Sequence, residues 1–231
     1  MQAKRSAPKQ AGKRPAKKSA TTLVDYDALA AAPLRTDPYP FVIAKDIIAA
    51  DIAADVEADF PEMDKPGSIP VSKLDYGPAF ADFVEELKSD RFRSAMADKF
   101  GVDLADKEIL VTARGQMRIT DGNIHTDTPE KLITILIYFN RDWADRRSAL
   151  RILRGGEDLE DYVEEAPPLL GTMVAFKVTD NCWHGHTEMQ GQRKSIQMNY
   201  LSGVKLRGKH QPLHRLKGQL RRAWKRWKAG R

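Results

Sequence analysis

Five short segments rich in β-branched and aromatic residues constrain the fold of this chain most strongly. They occupy positions 108–119, 131–140, 149–153, 171–178 and 193–201, and residues of this kind favour extended strands. Turn-forming glycine, proline and asparagine residues stand in or next to the intervals, among them Gly122, Asn140 and Gly191. Several short strands at this spacing predict a β-sandwich or a barrel, and no internal repeat is visible.

The sequence before these segments is mainly helical in pattern. Apolar spacing and capping residues predict helices over 23–32, 46–60, 78–88 and 91–100, with Asp46 as an N-cap, and a strand over 40–44. The acidic stretch 158–165 is expected to be a solvated helical turn or loop. We therefore predict a mainly β fold with helical cover over 23–101 and a β core over 108–203.

Charge divides the 231 residues into three parts. Residues 1–22 carry seven Lys/Arg and residues 204–231 carry eleven, without an acid in either range, whereas all 32 Asp/Glu lie between them. The first range has too little apolar surface to order itself and is expected to be a disordered tail. The domain boundaries that follow are 1–22, one folded domain over 23–203, and 204–231.

The C-terminal range has the pattern of a basic amphipathic helix. Its apolar residues recur at spacings of three or four, at Leu213, Leu216, Leu220, Trp224 and Trp227. Such a helix could pack on the acidic body of its own chain, or bind an anionic membrane surface or an acidic partner, with nucleic acid ranked below these.

The expected location is cytoplasmic, with peripheral membrane association as the alternative. The single cysteine, Cys182, rules out an intramolecular disulfide. No window approaches 18 consecutive apolar residues, so a spanning helix is not expected.

A candidate metal site begins at His125-Thr126-Asp127, just before the apolar strand at 131–138. An imidazole and a carboxylate two residues apart on extended backbone lie on one face, and a second imidazole from a distant strand would complete three ligands. Either His184 or His186 could supply it, and we favour His184 because Gly185 permits close approach. His186 is then a pocket or surface residue. Two histidines and a carboxylate form the facial triad of non-haem Fe(II) oxygenases.

Arg193 and Ser195 form a candidate anion site nine to eleven residues after His184. Because they are two apart on a predicted strand, they share a face, and Lys194 points the other way. A planar guanidinium can bind both oxygens of a carboxylate, and the hydroxyl adds a further donor.

Together with Leu150-Arg151-Ile152-Leu153 and Gly171-Thr172-Met173-Val174-Ala175-Phe176, these elements resemble the Fe(II)- and 2-oxoglutarate-dependent dioxygenase superfamily. The resemblance covers roughly residues 108 to 203 and is nearest to the branch that includes the prolyl 4-hydroxylase catalytic domain.

The resemblance implies a double-stranded β-helix, or jelly-roll. Fe(II) would be held by His125, Asp127 and His184, and the far carboxylate of 2-oxoglutarate by Arg193 and Ser195. Oxidative decarboxylation to succinate would be coupled to hydroxylation of a substrate, with O2 as the oxidant and ascorbate as an optional addition. The retained Asp127 favours hydroxylation over halogenation.

Two departures leave the primary substrate unidentified. Relatives of prolyl hydroxylase often carry a tyrosine shortly before His-x-Asp, whereas this chain reads Gln116-Met117-Arg118-Ile119. Tyr138 on the next strand could supply that hydroxyl to the 2-oxo acid. Animal prolyl hydroxylases often use lysine where Arg193 stands, so a peptide, a sugar-linked metabolite or another small molecule stays open. Substrate contacts are expected in the 68–76 loop and in 144–148.

Two other functions compete with this interpretation. A jelly-roll that has lost turnover could be a non-catalytic binding module, docked through its basic termini on membrane or nucleic acid. A metal-dependent isomerase or hydrolase of cupin type would use the same histidines and aspartate, but would leave Arg193 and Ser195 without a task.

Overall fold

The computed structural model describes residues 22–143 and 148–203. Almost all of the predicted basic tail 1–22, and the whole of the predicted C-terminal helix in 204–231, lie outside the described residues. Within the described part of the chain, no helix is long and apolar enough to cross a membrane.

Four α-helices and nine β-strands make up the described fold. The helices are α1 (Tyr26–Ala31), α2 (Ala53–Ala58), α3 (Pro78–Lys88) and α4 (Asp90–Phe100), with a 3-10 turn at Val71–Lys73. The strands are β1 (Phe41–Ala44), β2 (Ile69–Pro70), β3 (Ile109–Met117), β4 (Lys131–Tyr138), β5 (Leu150–Leu153), β6 (Tyr162–Ala166), β7 (Met173–Lys177), β8 (His184–Gly185) and β9 (Gly191–Leu201). The protein is therefore mostly β with few helices, as the sequence predicts at that level.

The strands form two antiparallel sheets. The major sheet has the order β1-β7-β4-β9-β3-β2, and the minor sheet has the order β6-β5-β8. The longest pairings of the major sheet join β9 to β3 on one side and to β4 on the other. The central strands β4 and β9 are buried on both faces, which explains why β4 reads as a nearly continuous apolar run.

Side-chain alternation separates the major sheet into two faces. One face packs against the helices in the larger core, which contains Ile133, Ile135 and Ile137 of β4. The other face meets the minor sheet in a smaller core, whose members include Phe41, Tyr138, Ile152, Val174 and Phe176. The described fold thus has three layers, and the space between the two sheets is where a pocket can open.

Local chemistry explains where two of the helices begin and end. Asp25 caps α1 by accepting a hydrogen bond from the Ala28 N–H at 2.8 Å. Ser89 caps α4 through the Phe92 N–H, and Gly101 ends that helix in the left-handed region at φ 60°, which glycine adopts without strain.

Two local predictions are wrong. The helix expected over 46–60 shrinks to α2 (Ala53–Ala58), because Asp46 has a φ of 54° and cannot cap a helix there. The prediction of a turn or loop over 158–165 is wrong only in its second half, where the strand β6 (Tyr162–Ala166) forms because its backbone pairs with β5. Arg151 lies 2.6 Å from Glu160 and 2.9 Å from Glu165 and offsets their charge.

Candidate active site

A cavity of about 500 Å³ opens at one end of the space between the two sheets. Its walls come from β3, β4, β8, β9 and the loop that precedes His125. All six site residues predicted from the sequence line it: His125, Asp127, Tyr138, His184, Arg193 and Ser195. Site residues as far apart in sequence as His125 and Ser195 therefore meet in one pocket.

His125, Asp127 and His184 come together at this cavity. Their ligand atoms all lie within 4.8 Å of one another, a group that could hold a metal ion. Backbone pairing sets the two histidines side by side, because each donates its N–H to the carbonyl of the other at 3.0 Å. Residues directly opposite on paired strands project to the same face, and the two imidazole centroids are 4.3 Å apart.

Backbone carbonyls fix how both imidazoles present their nitrogens. Nδ1 of His125 lies 2.8 Å from the Asn123 carbonyl, and Nδ1 of His184 lies 2.8 Å from the Cys182 carbonyl. A carbonyl oxygen can only accept, so Nδ1 carries the proton and Nε2 keeps its lone pair for a metal. Burial, with His125 beside it, lowers the pKa of His184 to about 4. A neutral ring is the form that ligates metal.

Three contacts hold the strand that presents His184. Ile152 of β5 pairs with His184 in the minor sheet. The Tyr39 hydroxyl donates to the Trp183 carbonyl at 2.7 Å, and the Leu153 N–H donates to the same oxygen at 3.0 Å. The two-residue strand β8 is thus held by its pairing with β5 and by two hydrogen bonds to the carbonyl of Trp183, the residue before His184.

Both oxygens of Asp127 have partners on β4. Lys131 Nζ donates to Oδ1 at 2.8 Å, and the Thr134 hydroxyl makes a very short hydrogen bond to Oδ2. Burial alone would raise the pKa of the Asp127 carboxyl. Lys131, His184 and the hydrogen bond from Thr134 together outweigh burial, so the pKa of the carboxyl is lowered. The carboxylate is therefore charged and fixed in orientation, as a metal ligand needs to be.

A buried polar pair continues behind Asp127. Thr134 lies opposite Asn199 in the register of β4 and β9, and its hydroxyl is 3.0 Å from Asn199 Oδ1. Both side chains are almost fully buried. A hydroxyl has one proton, so the Thr134 hydroxyl that donates to Asp127 does not also donate to Asn199, whose Oδ1 accepts from Gln197 Nε2 at 3.2 Å.

Arg193 is a buried cation with incomplete partners. It is 4% exposed, and Nη2 donates to the Tyr138 hydroxyl at 3.2 Å and to the Ser148 carbonyl at 3.1 Å. Nε is buried without a hydrogen-bond partner, and no carboxylate of the described residues forms an ion pair with Arg193. An unpaired buried charge is costly, so this arrangement suits an anionic ligand.

Ser195 stands where a ligand of Arg193 would meet it. It lies directly opposite Tyr138 in the pairing of β9 with β4, is buried, and lines the cavity, and its hydroxyl lies on the same face as Arg193. Arg193 and Ser195 both line the cavity, so they share one face of β9 as predicted. Lys194 does not line the cavity and pairs with Glu57 at 2.6 Å.

His186 lies outside the three-residue cluster but still lines the cavity. Burial, followed by the charge of Arg193, lowers its pKa to about 4. Gly122 packs against it so closely that an added Cβ would lie 2.4 Å from Cε1, and Gly122 has a φ of 98°. The geometry therefore agrees with the preference for His184 as the clustered histidine.

Sequence reasoning missed the residues that hold Asp127, although the pattern contained a sign of them. Thr134 is the one polar residue between Lys131 and Tyr138 in β4, and it shares a face with Tyr138. On β9, polar residues recur at every second position from Arg193 to Asn199. Of the expected substrate contacts, Ser68 lines the cavity, whereas 144–147 lie outside the described residues.

The residues present fit the predicted cofactor and co-substrate. Two imidazoles and one fixed carboxylate are the donor set preferred by non-haem Fe(II) sites with open positions. In the same cavity, the orphaned Nε of buried Arg193 marks a place for a carboxylate such as the distal group of 2-oxoglutarate.

Comparison with known proteins agrees with this site. Residues 116–201 match the sequence model of the 2OG-Fe(II) oxygenase superfamily. That range contains all six predicted site residues, and the match bears out the resemblance seen in the sequence to a superfamily that uses Fe(II) and 2-oxoglutarate. No curated protein matches the chain.

Solved structures share the fold at low sequence identity. A prolyl-4-hydroxylase from Pseudomonas putida is 15% identical with a TM-score of 0.52, over 78% of this chain and 91% of that one. A structure of prolyl 4-hydroxylases from Phytophthora capsici is 15% identical with a TM-score of 0.51, over 90% of this chain and 77% of that one. At this identity the similarity concerns the fold alone.

Proposed function

We propose that the chain is a hydroxylase of the 2OG-Fe(II) oxygenase superfamily, whose sequence model its residues 116–201 match. The observation that carries the proposal is a single cavity with two kinds of groups. It is lined by the cluster of His125, Asp127 and His184 and by the buried guanidinium of Arg193, which has no carboxylate partner among the described residues. The two groups correspond to the two parts of the chemistry, a metal site and an anion site.

The proposed reaction balances with one oxygen molecule. Bound Fe(II) supplies the chemistry that converts 2-oxoglutarate, O2 and a substrate C–H group into succinate, carbon dioxide and the hydroxylated substrate. His125, Asp127 and His184 would hold the metal. Lys131 and Thr134 keep both carboxylate oxygens of Asp127 engaged, so that the ligand does not swing away.

Arg193, Ser195 and Tyr138 are proposed to hold the co-substrate. The guanidinium of Arg193 would take the distal carboxylate, and the Ser195 and Tyr138 hydroxyls flank that position. Tyr138 already accepts a hydrogen bond from Arg193, so its own proton is free to be donated to a carboxylate. This geometry supports the role of Tyr138 that the missing upstream tyrosine left open.

The two sheets are proposed to be the two halves of a double-stranded β-helix. In this assignment 23–203 is one catalytic domain, with helical cover over 23–101 and a jelly-roll core over 108–203. The proposal is supported by the antiparallel strand orders and by the smaller core between the sheets.

The substrate class is proposed to be a peptide or a small molecule. Two of the similar solved structures are prolyl 4-hydroxylases, which favours a peptide substrate, but two departures argue against transferring the prolyl specificity. Residues 116–119 read Gln-Met-Arg-Ile where relatives often have a tyrosine, and Arg193 stands where animal prolyl hydroxylases often have lysine. Ascorbate as an additional reductant stays a prediction.

The test is anaerobic addition of Fe(II) and 2-oxoglutarate to the full chain. The expected result is a weak visible charge-transfer band that disappears in His125→Ala, Asp127→Ala and His184→Ala. His186→Ala is the matched control, because it removes an imidazole from the same cavity without removing a clustered ligand, and it should retain the band. Absence of the band in the wild type would contradict the proposal.

A second measurement separates the enzyme from a non-catalytic binding module. In air, the wild-type chain should release succinate from 2-oxoglutarate, even slowly and without a primary substrate, and Asp127→Ala should not. A chain that binds both ligands but never forms succinate would instead favour the binding module. That alternative relies on the basic ranges 1–22 and 204–231, which lie almost entirely outside the described residues.

A further inference from the structure

A second arginine, Arg114, lines the same cavity and has no role in the proposed chemistry. It lies on β3 directly opposite Ser195 of β9, so it is on the cavity face of the sheet, beside the proposed site of the co-substrate. Ser68 and Thr112 line the cavity on this side as well. The wall formed by β3 is therefore polar and cationic, and it extends beyond the metal cluster.

Arg114 is held in one orientation at both ends of its guanidinium. Nη1 lies 3.0 Å from Asp121 Oδ2, and Nη2 donates to the Ser68 hydroxyl at 3.1 Å. The side chain is 30% exposed, so it is partly shielded from water but still reachable from the cavity. A fixed and partly desolvated guanidinium is a better anion site than a mobile surface arginine, because less ordering is needed on binding.

Positive charge exceeds negative charge in this part of the cavity. Burial lowers the pKa of Arg114, Arg193 and Arg118 act in the same direction, and only Asp121 opposes them. Two guanidinium groups that line the cavity, those of Arg114 and Arg193, thus lie near the one carboxylate of Asp121. If 2-oxoglutarate neutralises Arg193, Arg114 keeps Asp121 as its partner, and an anion of the substrate would compete with Asp121 for it.

We propose that the primary substrate carries an oxyanion, a carboxylate or a phosphate, and that Arg114 and Ser68 bind it on the β3 side of the cavity. This assignment rests on the proposed hydroxylase function and names the chemical class of its substrate. Asp121 occupies part of Arg114 in the absence of substrate, and the substrate anion competes with it.

A purely structural account of the same residues makes the opposite prediction. Asp121 also accepts a hydrogen bond from the Arg118 N–H at 2.9 Å, so the ion pair with Arg114 could serve only to hold the loop before His125. In that case Asp121→Asn would loosen the loop and would not improve anion binding. If Arg114 is an anion site, Asp121→Asn removes the competing charge while keeping an acceptor for the Arg118 N–H, and anion affinity rises.

The test uses the full chain loaded with Mn(II) and saturating 2-oxoglutarate, so that the metal and Arg193 are occupied. Isothermal titration calorimetry with inorganic phosphate, and separately with acetate, measures whether a second anion binds. The phosphate and acetate arms distinguish a phosphorylated substrate from a carboxylic acid. We expect at least tenfold weaker binding in Arg114→Gln and severalfold tighter binding in Asp121→Asn.

The matched control is Arg154→Gln, which removes the same charge from an Arg–Asp pair, with Asp161 at 2.8 Å, outside the cavity lining. It should bind the second anion like the wild type. If Arg114→Gln fails to fold, the gain in Asp121→Asn still decides the question.

Three results would overturn the inference. The first is the absence of a second anion in a wild-type chain that binds 2-oxoglutarate, and the second is equal binding by Arg114→Gln and Arg154→Gln. The third is a loss of 2-oxoglutarate affinity in Arg114→Gln, which would assign Arg114 to the co-substrate. Failure of the wild type to bind 2-oxoglutarate would overturn the proposed hydroxylase as well, and so is distinguishable from these three.

Discussion

The two faces of the major sheet carry residues of opposite character on the same strands. Toward the helices, β4 and β9 present Ile133, Ile135, Ile137, Ile196 and Met198, all fully buried in the larger core. Toward the cavity, the same strands present Thr134, Tyr138, Arg193, Ser195 and Asn199. One face is an apolar interior, and the other buries polar groups and a charge.

This difference separates what stabilises the fold from what performs the chemistry. The apolar face gains free energy by leaving water, whereas the cavity face loses free energy wherever a buried polar atom lacks a partner. The unpaired Nε of Arg193 is the clearest case. Substitutions on the first face should therefore change stability, and substitutions on the second should change ligand binding with little cost in stability.

The largest expected effect is on the helix-facing side. Ile135→Ala removes a fully buried side chain from the larger core and should lower the free energy of unfolding by about 2–5 kcal/mol through lost burial and the cavity left behind. Urea denaturation measures it. The control Ile119→Ala, at a site that is 56% exposed, should change stability by less than about 0.5 kcal/mol. Equal losses in the two variants would contradict the assignment of the core.

On the cavity face, Arg193→Met should have the reverse profile. Affinity for 2-oxoglutarate should fall on the order of 100-fold, because a charge-assisted contact with a carboxylate is lost. The free energy of unfolding of the ligand-free chain should stay unchanged or rise, since an unpaired buried charge has been replaced by an apolar side chain. Titration of the charge-transfer band and thermal denaturation measure the two quantities. A strongly destabilised variant with normal 2-oxoglutarate affinity would reverse the comparison.

The histidines of the cavity should make stability depend on pH. His184 and His186 have pKa values lowered to about 4 in the folded chain, against roughly 6.5 when unfolded. Between these values the unfolded chain binds more protons, so acidification favours unfolding. Without metal, the free energy of unfolding should fall by about 2 kcal/mol for each of the two histidines, about 4 kcal/mol together, from pH 7 to pH 5. Its slope should be smaller in His186→Gln, and a slope equal to the wild type would exclude His186 as a source.

The smallest expected effect concerns the group that holds Asp127. Thr134→Val keeps the shape of the side chain but removes the hydroxyl that donates to Asp127 Oδ2. Mn(II) affinity should fall about tenfold, which is typical when a residue that orients a ligand is lost. Thr112→Val is the control, because Thr112 lines the cavity on β3 and has no contact with Asp127 among the described residues. A similar loss in both variants would refute a specific role for Thr134.

Strand positions and the resemblance to the 2OG-Fe(II) oxygenases could be predicted because they depend on local sequence. Alternation and β-branched residues indicated β4 and β9 within a few residues of their ends. Residues two apart on a strand share a face, so spacing alone predicted that Arg193 and Ser195 lie on the same side of β9. The short strand β8 and the acidic strand β6 could not be predicted, because each is extended only through its pairing with β5.

By itself, the sequence determined which chemical groups are present and which of them share a strand face, since both follow from residue identity and a period of two. Only the tertiary structure decided which distant groups meet. The mutual hydrogen bonds of His125 and His184 set the two imidazoles side by side, and Arg193 is buried through its contacts with Tyr138 and Ser148, far away in sequence. These properties arise from pairing register and packing between elements far apart in the chain, which local sequence does not encode.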